Sequence, residues 1–346
     1  MTPSTEWKDE IPAGEAEHLE ELARQLEVVR RKDSTGRALR TLHAKSHVGV
    51  RAELTVRADL PEHARVGIFA QPGTWQGWAR YSNASAAPHR DQAPDLRGFV
   101  FKILGVPGRK LIPGLEDATT QDFLMINTPS QAFRNVDEFV FFVVAGQNPS
   151  TLLPKAIWRL GFARTFQIIR AFQAAGRSVP SLAGRRFWST APIQWGRFAA
   201  KYSALPVAGN DAARSIPEPR NFLADDLIER LSKAPLEYDF AAQFYVDPVR
   251  TPLDDVSVEW TEEVSPFVRL ARLTIPQQDL RSEAGRRQQE YVESLSFDPW
   301  HAPVEFRPLS AIQRARNHAY RISTQARGAA PEPKGTESAL PLATGS

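Results

Sequence analysis

Two short stretches far apart in the chain carry the side chains best suited to chemistry. In RTLHAKSHVGVRAEL, Arg40 to Leu54, His43 and Lys45 stand directly ahead of a run that alternates apolar and polar residues. Imidazole, with an ordinary pKa near 6.5, accepts and returns protons at neutral pH. In LSAIQRARNHAYRISTQAR, Arg316 and Tyr320 are four residues apart and Arg327 follows seven later. On a helix this spacing stacks a guanidinium over a phenol on one face, with the second arginine returning to that face about 10 Å along the axis. A cation beside a phenolic oxygen favours its ionised form. The chain contains no HExxH, no paired-histidine zinc spacing, no GxSxG and no GxxxxGK[ST], so the common hydrolase and nucleotide motifs are absent.

The elements that must position these residues are legible in outline. Val48, Val50, Ala52, Leu54 and Val56 alternate with polar residues, which predicts a half-buried strand. Further strands are predicted at RVGIFA, GWARYSN, RGFVFKILGV, QDFLMIN, FAAQFYVDP and FVRLARLTI. Leu19, Leu22, Leu26 and Val29 give Glu15 to Arg31 an amphipathic helical face. NVDEFVFFVVAGQ opens with Asn135 and carries Glu138 three residues on, a capping-box spacing that ends near Gly146. Residues 151 to 176 have helical spacing with Arg, Trp and Phe, and suit a lid, a dimer contact or a membrane-facing surface. Two more helices, EAGRRQQEYVESL and the one bearing Tyr320, close the chain. Strands first and helices later predict an α+β protein built on antiparallel strands.

Composition narrows the function classes. The 346 residues contain no cysteine, which excludes disulfides, Fe–S clusters and thiolate chemistry. Net charge is +3, spread without a block of like charges, so no nucleic-acid partner is expected. No apolar run has the length of a signal core or a transmembrane segment, and a cytoplasmic location is expected. Residues 328–346 are poor in large apolar side chains and are expected to be disordered.

Four blocks occur in an order that resembles the catalase superfamily: RTLHAKS, then ARYSNASAAPHRDQAPDLRGFVFKILG, then QDFLMINTPSQAFRNVDEF, then FDPWH followed by RNHAY. Together they cover roughly residues 36 to 327. The chain looks like its short haem-containing branch, which includes small catalase-like peroxidases and coral-type allene oxide synthase domains. The resemblance implies a catalase-type antiparallel β-barrel core with a haem pocket and surrounding helices. It implies haem b as cofactor, with Tyr320 as the iron ligand, bound as phenolate although its ordinary pKa is near 10.

On that reading His43 is the acid–base residue, Asn127 orients the peroxide and Ser82 holds the tautomer of His43. Arg40 and Arg80, with Arg327, pair with the haem propionates, for which planar bidentate donors suit carboxylates. Arg316 supports the phenolate, Phe139 stacks on the haem and Leu42 lines the distal channel. His47 is read as a bystander on the polar register of its strand. His301 and His318 keep a histidine-ligated haem open. The implied function is decomposition of hydrogen peroxide or organic hydroperoxides by a catalase/peroxidase mechanism, with a small-molecule electron donor where the peroxidase reaction runs. The alternatives are a fatty-acid hydroperoxide isomerase of the allene oxide synthase type, and a non-enzymatic haem-binding protein. In the coral-type branch a threonine precedes the distal histidine, whereas Leu42 stands here. The expected organisation is an N-terminal helix or arm over 1–35, a haem domain over 36–327 and the tail; residues 147–235 are read as a helical insertion. A homodimer is compatible with this organisation.

Overall fold

The alternation that follows His43 becomes strand β1 (Ser46–Val56) of a computed structural model describing residues 3–175, 179–210 and 220–334. β1, β2 (Gly73–Asn83), β3 (Arg97–Leu104) and β4 (Thr120–Ile126) form one antiparallel meander. β6 (Ile193–Trp195), β7 (Phe198–Pro206), β8 (Leu236–Phe244) and β9 (Val268–Ile275) form another. β1 joins β9 from Glu53↔Thr274 to Val56↔Ala271. The two-residue β5 (Phe187–Trp188) closes the ring on the other side, through Ile126↔Trp188 and Phe187↔Ala204. The result is a closed eight-stranded antiparallel barrel, with β6 outside the ring as the hairpin partner of β7.

Period-two alternation divides each strand between two environments. Val48, Val50, Leu54, Phe99, Phe101 and Phe123 point into the barrel, where they are almost fully buried. Phe101, Phe123 and Phe240 pack with ring centroids 5.0–5.3 Å apart, so the barrel is a filled core and not a channel. Arg80, Ser82, Gly98, Val100 and Leu124 take the opposite register and face outward. Whatever chemistry they do lies between the barrel wall and the helices.

α1 (Glu15–Leu26) packs against α2 (Val136–Ala145) and α7 (Ala311–Arg327) through Leu19, Leu22, Val136, Val140, Ile312 and Ala315. The Asn135 side chain accepts the Glu138 amide at 3.0 Å, as the capping spacing predicts. Glu138 does not reciprocate but accepts from the Arg134 amide and pairs with Arg164. α3 (Pro149–Leu160) and α4 (Phe162–Ala175) meet at Gly161, whose φ of +78° suits glycine. α5 (Phe222–Leu231) also packs against β1. α6 (Glu283–Ser294) lies so close to β1 that a Cβ on Gly49 would fall 2.6 Å from Val292 Cβ. Among the described residues no helix is long and apolar enough to cross a membrane.

Three local expectations change. RVGIFA is not a strand: Gly67–Phe69 forms a 3-10 turn, with Gly67 at φ +51°. Among the described residues of 147–235, only α3, α4 and α5 are helical, and between α4 and α5 the chain supplies β5, β6 and β7. In the segment read as a disordered tail, residues 328–334 are placed; Glu332 is buried against Lys102, and the Ala330 amide donates to the Ser294 carbonyl at 2.9 Å. The rest of that segment, 335–346, lies outside the described residues.

Candidate active site

A cavity of about 1420 Å³ lies between the outer face of β2, β3 and β4 and helices α1, α2 and α7. Its size exceeds the roughly 300–1,000 Å³ of most small-molecule pockets. Among the described residues lining it, His43 is the only histidine and Tyr320 the only tyrosine.

His43 sits just before β1 with φ +57°, a left-handed conformation costly for a residue with a Cβ, on the order of 1–3 kcal/mol. Two main-chain bonds hold it there. Its amide donates to the Ala84 carbonyl and its own carbonyl accepts from Arg80 Nη2, each at 2.9 Å. Its Nδ1 lies 3.0 Å from Ser82 Oγ, leaving Nε2 as the ring nitrogen available to a substrate. Burial, then Arg80, Arg316 and Arg40, pushes the imidazole pKa down to about 3, well below the ordinary value the sequence reading assumed.

Arg80 is 2% exposed and its Nε donates to Glu293 Oε2 at 2.7 Å. Arg40 and Arg327 converge on the end of the same helix, α6. Arg40 donates to the carbonyls of Glu293 and Leu295 at 2.9 and 3.0 Å, and Arg327 to the same two at 3.1 and 3.0 Å. Burial and then Arg80 lower the pKa of Arg40 to about 9. Burial lowers that of Arg327 to about 10, with Arg80 adding to the fall. Burial would raise the Glu293 carboxyl, but Arg80 and Arg40 outweigh it and hold it below the usual range. Three guanidinium groups thus surround one carboxylate, and Nε of Arg327 is buried with no hydrogen-bond partner among the described residues. The alternative of solvated surface arginines does not describe this cluster.

On α7, Arg316 Nη2 donates to the Tyr320 hydroxyl at 3.3 Å and its guanidinium lies 5.5 Å from the ring centroid. Gln313 accepts the other arm of Arg316 at 3.1 Å and so aims it. Leu42 and Phe139 line the cavity. Asn127 stands beside the wall: Ile126 and Thr128 line the cavity and Asn127 does not. Its Oδ1 accepts the Arg97 amide at 2.7 Å, which fixes the orientation of the side-chain amide and leaves Nδ2 as its donor.

Three other histidines are set apart from the cavity. His47 does not point to solvent, because a register shift between Ser46 and Val48 turns it inward onto Asn83 at 2.7 Å. His318 is partly exposed on α7 and His301 is buried elsewhere, so neither supports a histidine-ligated haem. His301 belongs to a cluster with Asp122 and Glu332 that could hold a metal ion. The ammonium of Lys102 occupies that cluster, 2.8 Å from Asp122 Oδ1 and 3.2 Å from His301 Nδ1, and also pairs with Glu332.

Sequence reasoning missed Glu293, Gln313 and Gly98. Only Gly98 had a local signal, a glycine in the interior of a strand, which marks a close approach.

The sequence matches no protein-family model and no curated protein sequence. Solved structures do match. A bacterial catalase superposes with a TM-score of 0.62 at 15% identity, covering 95% of this chain and 63% of its own length. A fungal catalase gives 0.64 at 16% identity, covering 94% and 66%. Catalase A from Saccharomyces cerevisiae gives 0.64 at 15%, covering 94% and 67%. The chain therefore spans slightly under two thirds of the first two. With its closed antiparallel barrel, its flanking helices and these superpositions, the chain has the fold of these catalases.

Proposed function

We propose that this protein binds haem b and decomposes peroxides, hydrogen peroxide or organic hydroperoxides, by a catalase or peroxidase reaction. The observation that carries the reading is that one cavity is lined by His43, by the Arg316–Tyr320 pair and by the arginines gathered around Glu293. The residues suit the group. The excess of guanidinium over carboxylate, with a buried unpaired Nε on Arg327, matches a ligand that brings two carboxylates. The phenol of Tyr320, with a cation against its oxygen, is the donor type that holds iron in one class of haem protein.

Arg40, Arg80 and Arg327 would hold the propionates, Phe139 would pack on the macrocycle, and Tyr320 would hold the iron. Haem b, when bound, supplies a redox-active iron for cleavage of the O–O bond. The rest of the work falls to this chain. His43 is neutral above about pH 3, so Nε2 is ready to accept a proton from an entering hydroperoxide. It would then return that proton to the departing oxygen. Ser82 keeps the imidazole in one orientation, and Asn127 has only Nδ2 left to offer as a donor. Leu42 presents no hydroxyl beside His43. Thr41 turns its hydroxyl to Glu27 at 3.0 Å, which disfavours the isomerase reading.

The test is the absorption spectrum of the protein produced with ample haem, wild type beside Tyr320→Phe, together with turnover of hydrogen peroxide and cumene hydroperoxide. A high-spin ferric tyrosinate spectrum lost in the variant, and peroxide turnover lost in His43→Ala, are expected. A colourless wild type, or a haem spectrum indifferent to Tyr320, overturns the reading.

A further inference from the structure

Five of the nine exposed large apolar side chains among the described residues, Leu153, Trp158, Phe162, Phe166 and Phe172, lie in the α3–α4 hairpin. Trp158 is 89% exposed, Phe162 72% and Phe166 53%, and the last two rings lie nearly parallel with centroids 6.4 Å apart. All three lie within five residues of Gly161 in the sequence. Large exposed aromatics grouped this way mark an interaction surface.

Charge says which kind. Between residues 149 and 175 the chain has Lys155, Arg159, Arg164 and Arg170 and not one acidic residue. Arg164 is consumed by Glu138, whereas Lys155, Arg159 and Arg170 are exposed. A second copy meeting this face across a two-fold axis would set those cations against their own equivalents, with no acid in either hairpin to offset them. An anionic lipid surface offers the opposite: negative headgroups for the cations and an acyl boundary for Trp158, Phe162 and Phe166. The helices, 12 and 14 residues long, suit lying in the interface; none among the described residues is long and apolar enough to span a bilayer.

The hairpin is also continuous with the cavity. Leu152, Ile169 and Phe172 contribute to the cavity wall, and Phe172 is also 41% exposed. We propose that the α3–α4 hairpin seats the protein on the surface of an anionic phospholipid membrane, with the apolar end of the cavity next to the lipid. Its consequence for substrate, access to hydroperoxides of membrane lipids, rests on the proposed peroxide chemistry; the docking itself does not.

Co-sedimentation of the full chain with phosphatidylcholine vesicles, with and without phosphatidylglycerol, tests this without any use of haem or peroxide. The wild type is expected to pellet with the anionic vesicles. Trp158→Ser/Phe162→Ser/Phe166→Ser should weaken partitioning on the order of tenfold or more, and Lys155→Gln/Arg159→Gln/Arg170→Gln should lose roughly fivefold per cation at low salt. These side chains are exposed, and unchanged circular dichroism and melting temperature establish that the variants fold. Absence of pelleting by the wild type, or equal pelleting by the aromatic variant, overturns the proposal. So does a dimer in sedimentation velocity that the aromatic variant dissolves while vesicles go unbound, which would give the face to a second copy.

Discussion

Gly98 and His43 are in such close contact that a methyl group at position 98 would lie 2.6 Å from His43 Nδ1 and 2.8 Å from Ser82 Oγ. The absent side chain on β3 is what makes room for the imidazole on the barrel wall. Gly98→Ala should push the ring off Ser82. A destabilisation of about 1–3 kcal/mol is expected from overpacking, with peroxide turnover down about 10²–10⁴-fold, the usual worth of a positioned acid–base group. Steady-state kinetics beside Ser82→Ala, which should cost far less, will check it; equal turnover in Gly98→Ala and wild type would refute the assignment of His43.

Among the described residues, Glu293 is the only carboxylate within its arginine cluster. Glu293→Gln leaves buried Arg80 without its charged partner, and because the carboxylate side chain is 38% exposed the loss should be about 1–3 kcal/mol. If dianionic haem also balances these arginines, the loss will be largest in protein produced without haem and smaller after loading. Urea unfolding of both forms measures it. Identical losses in the two forms would mean that the arginines do not meet propionates.

Stability should fall in acid partly because of His43. Its folded pKa, about 3, lies below the unfolded value near 6.5. The unfolded chain therefore binds the extra proton between those limits, and the contribution is complete above about pH 6.5 and lost as pH falls toward 3. His47, lowered to about 4 by burial despite the opposing pull of Asp91, titrates in the same sense. His43→Gln should flatten the decline of melting temperature from pH 7 to pH 4 without abolishing it. Parallel curves for variant and wild type would show that His43 is not buried as a neutral imidazole.

Glu332 ties the C-terminal segment to the barrel through Lys102, Thr120 and Ser296. The lysine is buried, and Asp122 and Glu332 outweigh that burial to keep it charged. Glu332→Gln should cost about 1–3 kcal/mol by leaving part of the ammonium unsatisfied, and thermal melts give the value. The haem spectrum should not change, because the cluster is separate from the cavity.

Much of this was legible from the residues because local patterns decide it. The alternation from Val48 to Val56 gives the inward face of β1, the Asn135 spacing gives the start of α2, and the four-residue step from Arg316 to Tyr320 gives their contact. What was not legible depends on residues distant in sequence. Glu293 meets Arg80 across 213 positions, and nothing near either residue announces the other. FAAKYSALP, which forms β7, has small residues where a strand usually shows branched ones, since its neighbours in the barrel are large rings. β5 is two residues long, too short for any periodicity. His47 reads as solvent-facing until the bulge beside it is known.

The two meanders of the barrel give the chain a modular history in physical terms. Within each, every strand pairs with a neighbour in sequence, so most of the hydrogen bonding is local; β1 with β9 and the short seam at β5 do the joining. The helices that shape the apolar end of the cavity and the exposed aromatic corner all fall between β4 and β5, in the linker from one half to the other. Doubling the length of a flexible connection adds only about 0.6 kcal/mol of closure entropy. Access to the cavity can therefore be remodelled by insertion or deletion while the wall that carries Arg80, Ser82 and Gly98 stays unchanged.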